Sequence, residues 1–63
     1  MIEITRNKEG NPDPGYYYDK IKEMLATPRF YGNRFLNSVL TFIVEYNRIS
    51  ENQAEMIEKL DGE

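Results

Sequence analysis

The chain has 63 residues, a formal net charge of −3 at pH 7, and neither cysteine nor histidine. These facts exclude disulfide staples, a Cys/His zinc site and every Ser-His-Asp or Cys-His catalytic arrangement. A chain this short buries only about 60% of its unfolded surface and gains at most roughly 3–5 kcal/mol from packing alone. Its carboxylates therefore lack an apolar pocket large enough to tune a general acid. The reading is a single non-enzymatic domain with no cofactor, no metal and no small-molecule substrate. No apolar run reaches the length of a membrane span, and the opening lacks a basic-then-apolar leader. A cytoplasmic protein without a membrane partner is expected.

Residues 1–13 read as an extended arm or loop and residues 14–63 as a helical domain. In "MIEITR", Ile2 and Ile4 alternate with Glu3 and Thr5, the period of a short strand. "NKEGNPDPG" follows with the composition of a turn. A lone strand cannot satisfy its own backbone, so a mobile or loosely packed arm is expected. Asn7, Glu9, Asn11 and Asp13 place oxygens at alternate positions, as a calcium loop does. The match fails, because the required glycine falls on Pro12 and the bidentate glutamate on Tyr18.

The spacing predicts a first helix from Pro14 to Ala26, with Asp13 as N-cap and Pro14 at the first helical position. At 100° per residue, Tyr17, Tyr18, Ile21, Met24 and Leu25 share the core-facing arc, and Tyr16 falls outside it. Two starts suit the next helix: Thr27 as cap with Pro28 in the first turn, or Asn33 as cap after Gly32. From Arg34 to Asn47 the apolar positions Phe35, Leu36, Val39, Leu40, Ile43 and Tyr46 lie on one face, flanked by Phe42 and Val44. That arc is wider than the stripe of about 100° of a surface helix. It marks a central helix, either sandwiched between the others or showing a flank to a partner, and internal coverage is the expectation.

"ISENQ" opens the last helix. Ser50 and Gln53 have capping-box spacing, Ile49 and Ala54 bracket them as a staple, and Glu55 with Lys59 forms an i, i+4 pair. Ala54, Ile57 and Leu60 face the core with Met56 at its edge, and Gly62 follows as a stop. The fold class is all-α, a small three-helix domain.

Charge is unevenly spread. From Tyr16 to Arg48 there are five basic residues against three acidic ones, whereas Glu51, Glu55, Glu58, Asp61 and Glu63 face Lys59 alone after Ile49. Within "TPRFYGNRF", Arg29, Tyr31 and Arg34, joined by Arg48, are the candidate contacts. Arginine grips phosphate bidentately, and an exposed ring stacks on an unpaired base. Three arginines imply weak binding with a log K salt slope on the order of −3. The competing reading is a helix joint in which Phe30 and Phe35 fill the core and the arginines sit in water.

Phe35, Ser38, Val39, Leu40, Tyr46, Ile49, Ser50, Gln53 and Ile57 together form a pattern that resembles a helix-turn-helix found in small bacteriophage replication and recombination proteins. It is similar to the helical accessory proteins that accompany the recombination helicase of T4-type phages. The resemblance implies a non-catalytic module of phage DNA metabolism, acting in the host cytoplasm, that meets nucleic acid weakly or binds a helicase or replication protein. It designates no contact residues. The alternative is an inhibitor or adaptor that docks on a host protein, a polymerase, nuclease or defence complex, through the acidic face of Glu51, Glu55 and Glu58.

Overall fold

A computed structural model describes residues 2–62. Glu63, counted above with the acidic residues of the last helix, lies outside the described residues, as does Met1. Among the described residues there are three helices: α1 (Pro14–Leu25), α2 (Arg34–Tyr46) and α3 (Glu51–Gly62).

Local chemistry accounts for each boundary. Asp13 Oδ1 accepts the free amides of Gly15 and Tyr16, and Pro14 occupies the first turn of α1. Ala26 caps its far end, one residue before Thr27, whose hydroxyl donates to the Met24 carbonyl at 2.6 Å. Of the two possible starts for α2, Asn33 is the one used, its Oδ1 accepting Leu36 N–H at 3.0 Å. Helix α2 ends on Asn47 in the left-handed conformation, φ 53°, which the short polar side chain tolerates better than most. The capping box of α3 closes in both directions: Ser50 N–H donates to Gln53 Oε1 at 2.9 Å and Gln53 N–H to Ser50 Oγ at 3.1 Å. Gly62 does not stop α3 but is its last helical residue.

The core joins Tyr17, Ile21 and Met24 of α1 to Leu36, Val39 and Ile43 of α2 and to Ile49, Ala54 and Ile57. Ile4, Tyr18, Leu25, Phe30, Leu40 and Leu60 pack around it, half-buried. Helix α1 is the one that touches both neighbours, while α2 and α3 hardly meet. The central helix is thus α1, not α2. Because α3 docks on α1, the expected internal cover over the flanks of α2 is missing: Val44 is 68% exposed, Tyr46 57% and Phe35 36%. Phe30 packs on the core as expected of a joint; Phe35 does not fill it.

Residues 2–13 are not a loose arm. Within them residues 6–12 form a tight turn whose single antiparallel bridge joins Arg6 to Pro12. Proline has no N–H to extend a ladder, so no strand forms. Asn7 holds the turn, its N–H donating to Asn11 O at 2.8 Å and its Oδ1 accepting from Glu9 and Asn11. Gly10 adopts φ 85°, and its carbonyl accepts from the Arg6 guanidinium.

The Tyr17 phenol ties the arm to the helices, alongside the ion pair of Arg6 with Glu51 of α3. Thr5 N–H donates to Tyr17 Oη at 3.0 Å, and Tyr17 Oη donates to Glu58 Oε2 at 2.8 Å. Lys20 reaches Glu58 at 3.2 Å and Asp61 at 3.0 Å, binding α1 to the end of α3. Burial pushes the Tyr17 hydroxyl up to about 12; the Thr5 N–H opposes the rise and the Glu58 carboxylate adds to it. Burial works against the Lys20 ammonium, but its bonds to Asp61, Tyr16 and Glu58 outweigh that and hold it above the ordinary lysine range.

Candidate functional site

The four candidate contacts divide into two groups. Arg29, Tyr31 and Arg34 sit at the α1–α2 joint and the first turn of α2, while Arg48 follows its last turn. At 1.5 Å per residue the length of α2 puts about 20 Å between Arg34 and Arg48. In one chain they are two surfaces, not one.

At the joint, Phe30 turns inward and anchors the loop, and Gly32 with φ 75° reverses it. The reversal pushes Tyr31 outward until its side chain is 84% exposed, more than any other large apolar or aromatic residue among those described. The Arg29 guanidinium lies 5.0 Å from the centre of the Phe30 ring, a cation–π distance. Arg34 has no ion-pair or hydrogen-bond partner among the described residues and opens a helix with no acidic residue in its first turn. The positive end of the helix dipole therefore opposes its charge.

At the other end of α2 lies an open groove of about 810 Å³ between the turn at residues 7–12 and the α2–α3 joint. Phe42 and Tyr46 form its aromatic wall, their ring centres 4.8 Å apart. Arg48, Asn7, Asn11 and Glu9 bring polar groups to its rim. Sequence reasoning placed Phe42 and Tyr46 against internal neighbours; the signal that pointed to this wall was the excess width of the apolar arc.

The acidic residues of α3 are engaged within the chain. Glu51 pairs with Arg6 at 2.8 Å, Glu55 with Lys59 at 3.4 Å, and Glu58 with Lys20 and the Tyr17 hydroxyl. Only the outer portions of Glu51 and Glu55 face water, about half of each side chain. Among the described residues no three His, Cys, Asp or Glu side chains converge as metal ligands, no buried side-chain polar atom lacks a partner, and no helix is long and apolar enough to cross a membrane.

Of the nine residues that carry the resemblance to phage proteins, Val39, Ile49 and Ile57 are buried, Leu40 is half-buried, and Ser50 and Gln53 form the capping box. Six of the nine are thereby accounted for by folding alone. No protein-family model matches the sequence, and no curated protein or solved structure matches it either.

Proposed function

We propose that this chain is a non-catalytic helical binding module of DNA replication or recombination, which meets single-stranded nucleic acid weakly at the α1–α2 joint. One observation carries the reading: Tyr31 is held almost wholly in water between two arginines. An aromatic ring gains nothing for the fold in that position, whereas it offers a base a stacking platform worth about 1–3 kcal/mol. Arg29 and Arg34 supply cations on either side, and Gly32 lets a backbone approach. With Arg48 some 20 Å away, only two cations serve this surface, so a log K salt slope of about −1 to −2 is expected. Docking on a host protein through Glu51, Glu55 and Glu58 has less support, because each carboxylate would first have to leave an internal partner.

Fluorescence anisotropy with a labelled single strand at low salt tests the proposal. Binding that falls at least fivefold in Tyr31→Ser, with an unchanged melting temperature, supports it. Absence of binding by the unaltered chain, or indifference to Tyr31→Ser combined with Arg34→Ala, refutes it.

A further inference from the structure

Helix α2 carries its terminal charges the wrong way round. Its first turn holds Arg34 and no acid; its last turn holds Glu45 and no base. Each charge sits at the end of the helix dipole that repels it, and neither has a partner among the described residues. Between them, on the same side, runs an uncovered aromatic flank. At 100° per residue Phe35, Phe42 and Tyr46 fall within one narrow arc, and Ser38, Arg34 and Glu45 border it. Phe35 and Tyr46 are exposed, Phe42 is half-buried, and α3 leaves this side of α2 open.

From this pattern we infer that α2 pairs with α2 of a second copy of the same chain, antiparallel, about a two-fold axis near the middle of the helix. A two-fold interface must be self-complementary, and a flank with an unsatisfied cation at one end and an unsatisfied anion at the other meets that condition. In the register that sets Arg34 opposite the partner's Glu45, the reverse pair forms as well. Two like-oriented conflicts with the dipole are relieved at once. The same register drops Phe35 between the partner's Phe42 and the partner's Tyr46, which are one helical turn apart and form the wall of the open groove. Ser38, small and exposed, lets the helices approach near the axis.

The pairing also rejoins what one chain separates. It brings the partner's Arg48 to the end of α2 that carries Tyr31, so all four candidates stand together only across two copies. The inference does not depend on nucleic-acid binding and is tested without it. The contact is one helix wide, below the area of a permanent dimer, so association is weak and dependent on concentration.

Sedimentation equilibrium over a micromolar to millimolar series should show the mass rising from 7.5 kDa toward twice that value. Arg34→Glu alone and Glu45→Arg alone set like charges opposite one another, and each should remain monomeric over the same range. Mixed in equal amounts they should associate, since every opposed pair is then of opposite sign; the double variant should regain the original behaviour. Both positions are exposed, so far-UV circular dichroism should be unchanged in every variant. An unaltered chain that stays monomeric throughout overturns the inference, and so does a dimer that either single reversal leaves intact.

Discussion

Tyr17→Phe isolates the one hydroxyl on which the arm, α1 and α3 converge. The ring is 0% exposed and phenylalanine retains its volume, so the substitution opens no cavity. It removes the acceptor of Thr5 N–H and the donor to Glu58. Thr5 is exposed, and its amide regains water at a cost of about 0.5 kcal/mol. The bond to the charged carboxylate weighs more, about 1.5–3 kcal/mol, with the lower half of that range favoured because Lys20 continues to hold Glu58. A total near 2 kcal/mol removes about half of the roughly 3–5 kcal/mol available to a domain this small. At about 4–8 °C per kcal/mol, the melting temperature should fall by about 8–16 °C. Thermal unfolding followed by circular dichroism measures this, and amide exchange should show Thr5 losing its protection. Tyr16→Phe serves as control, since Tyr16 is exposed and its hydroxyl accepts from Lys20 at 3.3 Å, its one hydrogen bond among the described residues, so the change in stability should be less than about 0.5 kcal/mol. A Tyr17→Phe melt indistinguishable from that of the control, with Thr5 still protected, would refute the reasoning.

Alkali should unfold the protein through the same cluster. Tyr17 is raised in the fold, so its contribution is full below its ordinary 10.0 and is lost as pH climbs toward about 12. Lys20 is raised as well and loses its contribution in the same direction, so urea midpoints should fall above pH 10, less steeply in Tyr17→Phe. Ser50→Ala with Gln53→Ala removes both bonds of the capping box and should cost about 1–2 kcal/mol in urea unfolding, without loss of the α1–α2 pair. Asn47→Gly should leave stability within about 0.5 kcal/mol, whereas Asn47→Val should lower it by about 1–2 kcal/mol, because a branched side chain resists φ 53°.

The helices were legible in the sequence because their ends are written in side chains: Asp13 before Pro14, Asn33 before Arg34, Ser50 with Gln53. The core positions followed from the helical period, and Tyr17, Ile21, Val39, Ile43 and Ile57 are buried where it puts them. What the period does not carry is which helix covers which face. Phe35 and Tyr46 fall on the apolar arc of α2 as surely as Leu36 does, and only the docking of α3 on α1 leaves them uncovered. How the arm is held was out of reach for a similar reason, since Thr5 and Glu58 are far apart in sequence and meet only at Tyr17. Residue types alone show neither that Tyr31 stands exposed while Phe30 turns inward nor that the length of α2 separates Arg34 from Arg48.

The bond from Tyr17 to Glu58 spans 41 residues, and it sets an order of events during synthesis. Until Glu58 has been translated the phenol has no carboxylate to donate to, and Ala54 and Ile57 do not yet join the core. The α1–α3 closure is therefore open to form only after the α1–α2 pair has been made, and a chain paused before Glu58 leaves the α3-facing side of α1 exposed to chaperones.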